Sequence, residues 1–196
     1  YLQQIAQHRV VCGGHVYGPK PQKNNLLLHW KAGTRRESKP ARERKIRPHR
    51  HFMTGNFCIE RTLILTIGFD KSLKGYGHED SLLGFELQKR GIHVEHFDNP
   101  LLHTGLTEAP EYLDKTRQAM KNLAQIHQNN TEARKFASTV AVLKTALILQ
   151  SMRCMWLTTG LLNAFSRKME RNLLGSNPNL RILDLYKLGL LCKNLP

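Results

Sequence analysis

Up to about residue 105 strand-like and helix-like patterns follow one another in short pieces; beyond it every apolar pattern has helical spacing. A chain patterned this way is expected to build an α/β sandwich first and a helical part after it. Residues 1–8 read as the end of a helix. Residues 9–17 read as one strand, with Val10, Val11 and Val16 around Gly13-Gly14, and glycine inside a strand marks a bulge or a close approach. Residues 25–30 form a short apolar piece, strand or helix. Residues 60–67 read as a short helix, 81–90 as a second stopped by Gly91, and 92–97 as a half-buried strand. Residues 111–127 are amphipathic helix, 128–132 a polar linker, 131–171 mostly helix, and 180–191 a closing helix. The expected boundaries are 1–130 and 131–196.

Charge narrows the partners. The 196 residues carry 30 Lys and Arg against 15 Asp and Glu, a formal +15. That excess suits nucleotide phosphates, nucleic acid or an anionic membrane face. Residues 31–50 hold nine of the cations (Lys31, Arg35, Arg36, Lys39, Arg42, Arg44, Lys45, Arg47, Arg50) against Glu37 and Glu43. With Gly33, Pro40 and Pro48 in the run it reads as a loop: a solvated surface, a phosphate binder or a lid. Only Trp30 and Phe52 flank it, too few aromatics for a nucleic-acid stacking platform. Lys144, Arg153, Arg167, Lys168 and Arg171 punctuate the C-terminal helices, which either pack on a core or lie on an anionic membrane. The longest charge-free apolar run, residues 154–166, is too short to span a bilayer. Cys12, Cys58, Cys154 and Cys192 show no C-x-x-C spacing, so neither a zinc ribbon nor a disulfide framework is implied, and a reducing compartment is expected.

Three local features bear on chemistry. Glu79-Asp80 follows Gly75-Tyr76-Gly77-His78 at a helix start. An acidic pair there is ordinarily favourable charge at a helix N-terminus. On a glycine-hinged turn it also suits a general base held within reach of a hydroxyl. Thr54-Gly55-Asn56 is a turn between apolar pieces, and its alternative role is backbone approach to a ligand. His103 lies near a strand end, structural or a metal ligand.

Taken in order, FMTGNFCIER, GFDKSLKGYGHEDSLLGFELQKRGI and DNPLLHTG resemble the acceptor-side half of family 2 glycosyltransferases of the GT-A fold, over roughly residues 9–106. The resemblance implies the C-terminal half of a Rossmann-like GT-A domain followed by a helical extension. It implies that Asp80 is the catalytic base of an inverting transfer and that Glu79 contacts the acceptor or supports Asp80. Thr54, Gly55 and Asn56 would line the donor–acceptor pocket with Tyr76, Gly77 and His78; Gly13 and Gly14 would lie beside the donor sugar. His103 would complete a divalent metal site (Mn2+ or Mg2+). The implied partners are a nucleotide-sugar donor, a UDP-sugar foremost, and a glycan or lipid-linked acceptor. The setting is polysaccharide biosynthesis on the cytoplasmic face of a membrane. The chain has no D-x-D motif, so it is read as the C-terminal part of something longer, with the nucleotide-binding half before Tyr1. The rival reading is a non-catalytic basic module that holds nucleic acid or anionic lipid through residues 31–50 and the C-terminal helices.

Overall fold

The computed structural model describes residues 1–70, 73 and 75–196. Lys71, Ser72 and Lys74, which join the G-F-D and G-Y-G parts of the motif, lie outside the described residues. The chain is mixed α/β and mostly helical. It divides into two compact units: Tyr1–Pro19, Gly33–Ser72 and Glu79–Gly105 form the first, and Lys20–Ala32, Leu73–His78 and Leu106–Pro196 the second.

The first unit holds all the described strands. β1 (Val10–Cys12) pairs antiparallel with β3 (Phe57–Ile59) and parallel with β4 (Glu95–His96), in the order β3-β1-β4. β2 (His15–Tyr17) pairs parallel with β5 (Leu101–His103), His15 opposite Leu101 and Tyr17 opposite His103. The expected single strand over 9–17 is therefore two. The break falls at Gly13-Gly14, where Gly14 has φ +85, a region that suits glycine. Pairing with the neighbouring segment survives the break. The amides of Phe97, Asn99 and Leu101 donate to the carbonyls of Cys12, Gly13 and Gly14 at 3.2, 3.3 and 3.1 Å. One parallel pair thus bends from one small sheet into the other.

Around these strands lie α1 (Leu2–Ile5), α3 (Ala41–Arg44), α4 (Arg61–Ile67) and α5 (Glu79–Lys89). α5 starts two residues before the sequence suggests, so both carboxylates belong to its first turn. It ends as expected at Gly91: the Gly91 and Ile92 amides donate to Gln88 and Leu87 carbonyls, a Schellman-type stop. Val10, Cys12, Phe52, Leu63, Leu83, Leu87 and Val94 form the core of this unit. The residue 25–30 piece resolves as helix: a 3-10 turn, Asn24–Leu26, leads into α2 (Leu27–Arg36), which the unit boundary divides.

Residues 31–50 are not the irregular loop the sequence suggests. They contain most of α2, then α3, then a 3-10 turn at Pro48–His51. The prolines that argue against one long helix stand just before α3 and at the first position of the 3-10 turn, places where the missing N–H costs little.

The second unit is helical: α6 (Ala109–Asn129), α7 (Ala133–Thr139), α8 (Ala141–Ser151), α9 (Met155–Leu174) and α10 (Leu180–Asn194). Leu113 of α6, Leu162, Met169 and Leu173 of α9 and Leu183 and Tyr186 of α10 meet in its core with Leu28 and Ala32 of α2. A polar knot reinforces it. Arg117 donates to the Tyr186 hydroxyl at 2.9 Å and to Glu170 at 2.7 Å, and the same hydroxyl donates to Glu170 at 2.8 Å. The expected linker at 128–132 shrinks to the three residues between α6 and α7.

Candidate functional site

The T-G-N turn and the first turn of α5 meet inside the first unit. The Thr54 hydroxyl donates to Asp80 Oδ1 at 2.5 Å, and the Thr54 backbone amide also hydrogen-bonds to this carboxylate. Burial pushes the Asp80 pKa up from the ordinary carboxylate value; the two Thr54 bonds oppose that rise, Glu79 adds to it, and His15 pulls against it. The result is a carboxyl group more basic than a free aspartate, held in a fixed orientation by Thr54. Those are the properties a general base needs.

His15, which sequence reasoning did not single out, belongs to this cluster. Its ring lies against Gly55 so closely that a Cβ there would approach within 2.6 Å. His15 Nδ1 is buried without a hydrogen-bond partner among the described residues. The His15 and His103 rings meet edge to face with centroids 6.2 Å apart, and His103 stacks on Tyr17 at 4.9 Å. β2 and β5 cause this directly: side chains two apart on a strand share a face, and Tyr17 sits opposite His103 in register. The signal was present as the alternation His15, Val16, Tyr17, but a strand assumed continuous through the glycines hid which face it served.

His103 is thus one face of an aromatic stack. No group of three His, Cys, Asp or Glu side chains able to hold a metal occurs among the described residues.

Gly13, Gly14 and Asn56 take part in internal ties. The Asn56 side-chain amide donates to the Gly14 carbonyl at 2.6 Å and the Asn99 carbonyl at 2.9 Å, and its oxygen accepts from the Tyr1 hydroxyl. The Gly13 amide donates to the Asn56 carbonyl at 3.1 Å. A Cβ on Gly13 would meet the Asn99 carbonyl and the Asn56 amide, and one on Gly14 the Arg44 guanidinium.

That guanidinium corrects the reading of the basic run most sharply. Arg44 is 2% exposed. Its Nε donates to Lys39 O at 3.0 Å, one terminal nitrogen to Cys12 O at 3.2 Å and His96 Nδ1 at 2.7 Å, the other to Gly13 O at 3.1 Å and Phe97 O at 2.9 Å. All five N–H bonds are used. Arg44 cannot reach a phosphate or move with a lid. It clamps the two bent strands at the place where they change sheets. His96, fully buried, accepts from Arg44 at Nδ1, so its proton sits on Nε2 and is donated to the Pro48 carbonyl at 2.9 Å. Burial first, then Arg44, pushes the His96 pKa down to about 4.

Tyr76, Gly77 and His78 lie in the second unit. Gly75, Gly77 and His78 all have positive φ, +73, +112 and +74. Gly77 passes so close to α6 that a Cβ would meet Ala119. Asn122 of α6 donates to the Gly77 and Tyr76 carbonyls at 3.3 and 3.4 Å, and Gln118 Nε2 donates to Asn122 Oδ1 at 3.0 Å. Lys115 sits over the Tyr76 ring at 5.6 Å from its centroid. Burial and Lys187 push the His78 pKa down to about 4.

No protein-family model, curated protein or solved structure matches the chain.

Proposed function

We propose that this chain is the acceptor-binding, base-supplying half of an inverting glycosyltransferase that uses a nucleotide-sugar donor. The observation that carries the proposal is the Thr54–Asp80 pair: two motif pieces far apart in sequence join so that a half-buried carboxylate of raised basicity is aimed by a threonine. In this reading Asp80 accepts the proton of the acceptor hydroxyl as that oxygen attacks the anomeric carbon from the side opposite the nucleotide, and the product anomer inverts. Glu79 raises the basicity of Asp80 and contacts the acceptor. The His15, Tyr17 and His103 rings offer the flat surface on which a sugar ring rests. Donor binding, and the ligands of a divalent metal beyond His103, belong to the D-x-D half that this sequence does not contain.

The test is turnover of a transferase that includes this chain, read as nucleoside diphosphate released from a panel of nucleotide-sugars with glycan and lipid-linked acceptors. Asp80→Asn lowers kcat by at least ~100-fold, the usual reach of a general base. The variant keeps one acceptor oxygen for Thr54 and sheds a charge that burial disfavours, so its melting temperature stays close to the parent's at neutral pH. Near-normal turnover in Asp80→Asn defeats the proposal, and a large loss of melting temperature reassigns Asp80 to the fold. The polyanion-binding alternative is weakened by Arg44, since one cation of its basic run is enclosed in the first unit.

A further inference from the structure

α8 and α9 carry apolar side chains that their own unit does not cover. Leu162, Met169 and Leu173 turn one face of α9 into the core. Leu157, Leu161 and Phe165, spaced four apart, form a second stripe along α9, and all three are exposed. Ile148 and Met152, also four apart, continue the exposure at the end of α8, and Trp156 opens α9. Met152 is 64% and Trp156 68% exposed, in a turn where Arg153 has φ +56. Scattered exposed leucines need no explanation; a tryptophan, a methionine and a phenylalanine joined by a leucine stripe do.

The charges beside this stripe decide what can cover it. Residues 141–174 contain five cations, Lys144, Arg153, Arg167, Lys168 and Arg171, all exposed, and one acid. That acid, Glu170, already accepts from Arg117 and Tyr186. Lys168 lies along the Leu161–Phe165 stripe, and Arg167 and Arg171 lie one turn apart on the adjoining face. A second copy of this chain docked face to face would bring cations against cations. A surface that is apolar inside and anionic at its boundary satisfies both features at once. No described helix is long and apolar enough to cross a bilayer.

We infer that the α8–α9 turn and the outer stripe of α9 lie in the headgroup boundary of an anionic membrane. Trp156 and Met152 enter first, Leu157, Leu161 and Phe165 follow along the helix, and Arg153, Arg167, Lys168 and Arg171 meet lipid phosphates or carboxylates. The inference stands on the second unit alone and does not depend on the transferase reading.

The experiment is sedimentation of the intact chain with large vesicles, either phosphatidylcholine alone or phosphatidylcholine with about one third phosphatidylglycerol. Binding to the anionic vesicles is expected to exceed binding to neutral ones by at least about tenfold and to fall steeply between about 50 and about 500 mM salt, as the Debye length shortens. Trp156→Ser with Phe165→Ser lowers the partition coefficient by at least about tenfold, since two large side chains leave the boundary. Both positions are exposed, so the melting temperature stays unchanged. Lipids brominated near the glycerol backbone quench fluorescence in the parent and much less in Trp156→Phe, which retains Trp30. Absence of anionic-vesicle binding overturns the inference, as does binding that the double variant leaves intact. Self-association in sedimentation velocity, abolished by the same double variant, would assign the stripe to a second copy instead.

Discussion

Arg44 shows how a single side chain can be misjudged by its neighbours in sequence. It stands in a run of nine cations, and nothing in a charge count separates it from Arg42 or Lys45. Position separates it: it ends the one-turn helix α3, whose first amide donates to Asp98 Oδ1 at 2.7 Å, and that places its side chain under the bent strands. Lysine brings one point charge and three donors in place of a planar fork of five. Arg44→Lys therefore leaves buried carbonyls unpartnered, and it is expected to destabilise by about 3 kcal/mol or more in urea denaturation. Arg42→Lys, an exposed position on the same short helix, is expected to change stability by less than about 0.5 kcal/mol. Asp80 was legible as a special carboxylate from its glycines and helix start, while Thr54 as its partner was not. A hydrogen bond between positions 26 apart has no local signature.

At the scale of elements, periodicity located α4, α5, α6 and α10 within a few residues, ran α7, α8 and α9 together as one stretch, and failed where short pieces abut. α5, α6 and α10 follow their apolar spacing. The strands are two or three residues each, too short for alternation to reveal a change of sheet. The G-Y-G piece illustrates a different gap. Its glycines were readable as a turn, but their second duty, allowing the backbone to pass against Ala119, depends on α6 more than thirty residues later. Gly77→Ala combines an unfavourable φ of +112 with that overlap. It is expected to lower stability by more than about 1 kcal/mol, read as a drop of several degrees in melting temperature. Gly160→Ala, where a Cβ meets nothing within 4 Å inside α9, is expected to stabilise by up to about 1 kcal/mol.

Over the whole molecule, acid works against the fold. Burial pushes His51, His78 and His96 down to about 4 in the folded chain, against about 6.5 when unfolded. Between those values the unfolded chain binds more protons at all three, so stability falls as pH drops from about 6.5 towards 4. Asp80 works the other way: its folded pKa is raised, so protonation near and above the ordinary carboxylate value favours the folded state. One group opposes three, and the net expectation is loss. Urea midpoints measured from pH 7 to 4.5 should decline, and His78→Gln should flatten the decline. A constant midpoint over that range would show that these imidazoles titrate alike in both states. The formal +15 was plain in the sequence, but which imidazoles are enclosed was not, because enclosure is decided by long-range packing.

The bend at Gly13-Gly14 also separates two kinds of inheritance. β1 belongs to the sheet that carries the core residues Val10 and Cys12, while β2 presents His15 and Tyr17. Because strand side chains alternate, one residue gained or lost just after the bend would turn His15 and Tyr17 to the opposite face and leave Val10, Val11 and Cys12 where they are. The glycine pair is therefore a seam at which the ring cluster can be re-aimed without disturbing the strand that carries the core.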